Sequence, residues 1–360
     1  MNLRIPGPTP LPPHVMAALQ RPMIDHRGPE FAAIQKRIVA KLQEVYETKN
    51  DILLFTSSGT GALEASVANA ISAGDHVLAF CAGSFGDRLA DIAKGYGAAL
   101  TRVNFEWGQA IDPDRVSAAL RENPKTRAVL VTHNETSTGV LHPLKEIAAS
   151  VRAHSDAVLI VDAVSSLAAV RVETDGWGID LMGTASQKAW MCPPGVSMVS
   201  VSSRAWQANA ASKSPRLYFD FVETKKWMEK GQTPFTPAVS VYFALDAALN
   251  LMETEGIANV YARHLRVAQR TRDQALKLGF SLFGDPHFVS PTVTALNVPQ
   301  GIDSETLLRI AREEHGLVIG GGQAKLKGKI IRIGHLGYVH EEDIDSAMQV
   351  LEQVLKKMRG

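Results

Sequence analysis

Apolar residues in the first half of the chain gather into short runs: Asp51–Phe55, His76–Phe80, Leu100–Val103, Ala128–Thr132 and Ala157–Val161. Between them the apolar positions return every three or four residues. Phe31, Ile34, Ile38, Leu42 and Val45 place an amphipathic helix over residues 30–47. Helices are also expected over 14–19, 62–73, 85–97, 112–122 and 143–154. Two more strands are expected, over Gly178–Met182 and over 196–201. Apolar strands separated by helices are strands buried on both faces. The expectation is an α/β fold with a seven-stranded, mainly parallel sheet and helices on both sides.

The pattern then changes. Residues 205–235 look irregular and polar, with long helices to follow over 238–254 and 256–278. Arg263, Arg266, Arg270 and Arg272 in the second of these read as a solvated helix face. Thr292–Val298 alternates like a strand with one covered face. A helix is expected over 303–315, and a strand pair ends in Ile330–Gly334. Ile344, Met348, Leu351 and Leu355 give the last helix its apolar side. Three parts are expected: an arm over 1–13, a large domain over 14–255 and a smaller α+β domain over 256–360. The arm carries five prolines by position 13. Proline lacks an N–H donor, so the arm is expected to lie over a surface and join no central sheet.

In sheets of this kind ligands bind beyond the carboxyl ends of the strands. Ser58, Phe85, Thr136, Asp162 and Lys188 all lie at or just past such ends. The turn Thr56–Gly61 is rich in hydroxyls and glycine and leads into a helix, which suits a phosphate. Asp162 is an acid ending an apolar strand, so it needs a partner. Lys188 follows small polar residues, and a desolvated lysine is a reactive amine. Phe85 offers a flat ring. A phosphorylated, cationic, planar heterocycle carrying an aldehyde needs these four partners. The lysine forms the Schiff base and the acid pairs with the ring nitrogen. The aromatic stacks on the ring and the helix start takes the phosphate. That cofactor is pyridoxal 5′-phosphate.

Composition narrows the class. The chain has 360 residues, 45% of them hydrophobic, enough for a large core. Its 38 basic and 37 acidic residues leave a net charge of +1, so neither nucleic acid nor an acidic membrane surface is an expected partner. Two cysteines, Cys81 and Cys192, make neither a disulfide framework nor a zinc cluster, and no metal site is expected. With no apolar leader and no bilayer-length run, a soluble cytoplasmic protein is expected.

The chain resembles the class V aminotransferases of fold type I, and within them the alanine–glyoxylate and serine–pyruvate group. The resemblance spans nearly the whole length. It rests on Pro6-Gly7-Pro8, on Ser58-Gly59-Thr60 followed by Ala62-Leu63-Glu64-Ala65, and on Thr132–Val140. It rests also on Val161–Leu167, on Ser186-Gln187-Lys188-Ala189 and on Arg332–Gly337. It implies amino transfer from alanine or serine to glyoxylate or pyruvate in a ping-pong cycle. Lys188 would carry the cofactor and move the α-proton, and Asp162 would hold the pyridinium nitrogen. Phe85 would stack on the ring. Ser58, Gly59, Thr60 and Gln187 would help hold the phosphate, and Thr136 would contact the ring hydroxyl or its neighbourhood. Arg332 would grip the substrate α-carboxylate through its planar fork. The resemblance implies a homodimer with the site at the subunit interface, where Thr233 and Thr236 would reach the phosphate of the other subunit. Aspartate or an aminophosphonate as donor fits the same residues.

Two other functions compete. A cysteine desulfurase or lyase needs a mobile loop cysteine and usually a histidine on the ring, where Phe85 stands. A nucleotide-binding module needs an acid near Phe80-Cys81-Ala82, and none is there.

Overall fold

The computed structural model describes residues 1–359. Seven strands form the large sheet in the order Asp51–Phe55, Ser197–Val201, Leu181–Ala185, Val158–Asp162, Ala128–Thr132, His76–Cys81 and Ala99–Asn104. Ser197–Val201 runs antiparallel to both neighbours, and the other pairings are parallel. Alternate residues of each strand enter opposite cores. Leu78, Phe80, Val129, Val131, Leu159 and Val161 pack with the helices Pro29–Tyr46, Leu144–His154 and Val239–Glu255. Val77, Ala79, Leu130 and Ile160 pack beneath Gly59–Ala70 and Ser84–Gly95. Each buried Val, Leu, Ile or Phe among these contributes about 1.5–3 kcal/mol on burial.

A second sheet has the order Asn2–Arg4, Leu317–Gly321, Ile330–Gly334, Val293–Asn297 and Ser281–Leu282. The helices Ile257–Lys277, Ser304–His315 and Glu341–Arg359 share a separate core with it.

Four expectations need correction. The arm stays out of the large sheet, but Asn2–Arg4 is an edge strand of the smaller one, parallel to Leu317–Gly321. The prolines begin only at Pro6, so the first residues keep their donors. The strand expected over Gly178–Met182 is Leu181–Ala185. Gly183 looks unlike a strand residue, but a Cβ there would sit 3.3 Å from Ala62 Cβ, so close packing on the helix Gly59–Ala70 selects glycine. The region 205–235 contains the helices Ser203–Ala211 and Phe221–Met228. Ser202 and Asp220 cap them by accepting the N–H groups of Ala205 and Glu223. The arginines of 256–278 are not one solvated face. Arg263 and Arg272 are buried, and Arg263 pairs with Glu255 while donating to the carbonyls of Gly337 and Val339.

Candidate active site

The helix expected from residue 62 begins at Gly59. Gly59, Thr60 and Gly61 are therefore its first turn, not a loop before it. Glycine is needed for contact: a Cβ on Gly59 would lie 2.7 Å from Val164 Cγ2. Ser58 stands at the cap position but makes no side-chain cap bond. Its hydroxyl and the N–H groups of Gly59 and Thr60 remain free for an anion, while Gly61 N–H donates to Ser58 O at 2.9 Å.

Lys188 stands three residues beyond Leu181–Ala185. Trp190, fully buried, donates to Thr184 Oγ1 at 3.1 Å and anchors the turn in the core. The proline arm closes over the lysine. Thr9 N–H donates to Gln187 O at 3.2 Å, Thr9 Oγ1 donates to Lys188 O at 3.1 Å, and Lys188 Nζ donates to Pro6 O. Gly7, at φ +124°, admits no side chain, because a Cβ would lie 2.7 Å from Lys188 Nζ. Burial lowers the Lys188 pKa to about 8; the charge of Asp162 opposes the shift, while Arg332 and Arg88 reinforce it.

Asp162 ends its strand paired with Thr132 on one side and Gly183 on the other. Its Oδ1 accepts the Val164 N–H at 2.9 Å, and Oδ2 has no donor among the described residues. Burial pushes its pKa up to about 7; Glu135 adds to the shift, while Val164, Lys188 and Arg88 oppose it. Such a carboxyl lacks a cation on its open side.

Asp162, Lys188, Ser58, Gly59, Thr60, Phe85 and Gln187 line one cleft of about 300 Å³, together with Gly7, Pro8 and Arg88. The Oε1 of Gln187, an acceptor, is buried with no partner among the described residues. A larger groove of about 690 Å³ lies beside the helices Pro29–Tyr46 and Phe221–Met228 and contains none of these groups.

Arg332, 6% exposed, is not among the residues lining the cleft. Nε donates to Gly321 O at 2.8 Å, and Nη1 donates to Thr136 O at 3.2 Å and Gln323 Oε1 at 3.3 Å. These bonds fix the fork and leave Nη2 without a partner among the described residues. Burial lowers its pKa to about 10, so it stays cationic at neutral pH. Thr136 is buried with its hydroxyl 2.6 Å from Ser165 Oγ, and it is not part of the cleft lining. Thr233 is buried and donates to Phe235 O at 2.8 Å, Thr236 is exposed, and neither lines the cleft of this chain. His133 is buried and held neutral, its pKa lowered by burial to about 3.

Sequence reasoning misses Arg88. Its guanidinium carbon lies 5.1 Å from the centre of the Phe85 ring, and no carboxylate pairs with it among the described residues. The available signal is its position, one helical turn after Phe85, which puts both on one face.

The residues fit pyridoxal phosphate. A free helix start suits the phosphate, an open buried carboxyl suits the ring nitrogen, and a desolvated amine suits the aldehyde. Only the neutral amine reacts. Uptake of pyridoxal phosphate by the cofactor-free chain is therefore expected to quicken about tenfold per pH unit up to a pH of about 8 and then level off. Stopped-flow absorbance measures this, and a rate still climbing toward a pH of about 10 would show that Lys188 keeps an ordinary pKa.

Residues 2–346 match the family Aminotransferase class-V. The soluble hydrogenase small subunit of Synechococcus sp. is 43% identical over 359 residues, covering 99% of this chain and 93% of that protein. The L-aspartate–glyoxylate aminotransferase of Paracoccus denitrificans is 34% identical, over 98% of this chain and 90% of its own length. Among solved structures, alanine–glyoxylate aminotransferase from Nostoc sp. superposes with a TM-score of 0.95 at 33% identity, covering 98% of this chain and 95% of that one.

Proposed function

The chain belongs to the class-V aminotransferases, and from that premise we propose that it moves an amino group from alanine or serine to glyoxylate or pyruvate. It is a pyridoxal-phosphate-dependent transaminase acting between amino and oxo acids. The observation that carries the narrower reading is the cleft itself: about 300 Å³, roofed by the proline arm, with one lysine amine facing one buried acid.

When bound, pyridoxal phosphate supplies a ring that draws negative charge away from the substrate α-carbon. In this reading Lys188 takes the α-proton at Nζ and returns it, and Asp162 keeps a proton on the ring nitrogen. Ser58, Gly59, Thr60 and Gln187 hold the phosphate, Phe85 covers the ring and Thr136 supports the ring hydroxyl side. Arg332 binds the α-carboxylate, and Pro6-Gly7-Pro8 keeps water from the amine. The reading includes a homodimer in which Thr233 and Thr236 face the phosphate of the other subunit, and a cytoplasmic location. Among the described residues no helix is long and apolar enough to cross a membrane.

One observation favours a second donor. Arg88 offers an uncommitted guanidinium in the cleft wall, which suits a side-chain carboxylate such as that of aspartate. Sulfur abstraction is disfavoured instead. Cys81 and Cys192 are both buried, and burial raises both thiols, Cys81 to about 12.

The test mixes loaded enzyme separately with alanine, serine and aspartate and follows loss of the visible cofactor band. Alanine or serine is expected to discharge it fastest. If aspartate does so, Arg88→Gln is expected to slow the aspartate arm roughly tenfold more than the alanine arm. A loaded enzyme that no amino acid discharges sinks both readings.

A further inference from the structure

Glu135 does not line the cleft, yet it is the most enclosed carboxylate near it, at 0% exposure. Its carboxyl oxygens accept every hydrogen bond they make. The N–H of Phe85 reaches Oε1 at 3.3 Å and Oε2 at 3.2 Å, and the N–H of Gly86 reaches Oε2 at 3.1 Å. From its own hairpin, in which Asn134–Glu135 pairs antiparallel with Val140–Leu141, Ser137 N–H donates to Oε1 at 3.2 Å, and the Ser137 hydroxyl donates to it as well. Ser137 Oγ in turn accepts the N–H of Ser84 at 3.0 Å.

These are the first N–H groups of the helix Ser84–Gly95. Its own cap position is Gly83, which has no side chain to offer. Glu135 therefore caps this helix from about fifty residues away in the chain, with a negative charge at its positive end. Gly83 is required by that arrangement, since a Cβ there would lie 2.3 Å from Glu135 Cδ. The next residue, Thr136, gives its carbonyl to Arg332. One short hairpin thus meets both Arg332 and the helix bearing Phe85 and Arg88.

We propose that Glu135 is a positioning residue of this site: its buried carboxylate locks the start of the helix Ser84–Gly95 and so fixes Phe85 and Arg88 at the cleft. The proposal rests on the reading of that cleft as the cofactor site. A carboxylate is needed because both oxygens must accept. In Glu135→Gln the amide NH₂ faces either Gly86 and Phe85 or Ser137, donor against donor.

The test uses Glu135→Gln, with Ser137→Ala as a milder variant that keeps the carboxylate. In the cofactor-free chain, amide hydrogen exchange at Phe85 and Gly86 is expected to quicken roughly 10–100-fold in Glu135→Gln, and less in Ser137→Ala. In the loaded enzyme, the circular dichroism of the cofactor band is expected to change and kcat to fall more than KM rises. Unchanged exchange and an unchanged band in a folded Glu135→Gln, with only a lower Tm, overturn the proposal. If Glu135→Gln does not fold, unchanged exchange in Ser137→Ala overturns it equally. A wild-type chain that takes up no cofactor sinks the amino-transfer reading, whereas the exchange result is obtained without cofactor and judges the cap alone.

Discussion

Lys188→Ala is expected to lower kcat for amino transfer by roughly 10⁴-fold or more and to abolish the visible band of the lysine-bound cofactor. Two functions leave together. The amine proposed to hold the cofactor is lost, and so is the group proposed to move the α-proton. Lys188 is the only lysine lining the cleft among the described residues, so no neighbour replaces it. The fold has little reason to change, because the turn is held by Trp190 and by backbone bonds to Thr9. Lys188→Arg should be as inactive, since a guanidinium stays protonated and cannot act as a base. Single-turnover absorbance with the best donor measures both variants. A Lys188→Ala protein that keeps more than about 1% of wild-type kcat is incompatible with a general-base role.

Asp162→Asn is expected to cost roughly 10²–10³-fold in kcat, because an amide cannot keep a proton on the ring nitrogen. It also has an effect without cofactor, and the sign follows from linkage. The Asp162 pKa is raised in the folded chain to about 7 from an ordinary 3.8. The folded state therefore holds a proton that the unfolded state has released between those values. The contribution of Asp162 to stability is fully present below about pH 4 and is lost as pH rises through about 7. The amide that replaces it does not titrate. The stability of Asp162→Asn relative to wild type should thus grow from about pH 4 to about pH 7 in the cofactor-free chain and stay level above. Urea unfolding at about pH 4.5 and about pH 7.5 reads it. A gap that does not change with pH means that the carboxyl is not desolvated.

Much of this site was legible because its residue types stand at strand ends. Asp162 follows four apolar residues, and Ser58 opens a helix after another apolar strand. A chain that alternates strand and helix brings such ends together. Sequence reasoning errs where contact overrides local preference. Gly183 is a poor strand former, yet it sits in the sheet because the helix Gly59–Ala70 lies against it. Arg263 looks solvated by its spacing, but Glu255 and two carbonyls bury it. Glu135 cannot be placed from its neighbours in the chain, since two of its four donors, the N–H groups of Phe85 and Gly86, are about fifty residues away.

By itself the sequence determined the order of elements, through periods of about two and about 3.6 that depend only on neighbouring residues. It also determined the chemical types available: one amine, one acid, one aromatic and one guanidinium at the expected ends. The tertiary structure alone decided their charge and aim. Lys188 is depressed to about 8 and Asp162 raised to about 7 because other segments remove water from them. Phe85 and Arg88 are aimed by a carboxylate from a distant hairpin. Desolvation and hydrogen-bond geometry depend on distances through space, and these become fixed only when the chain has closed on itself.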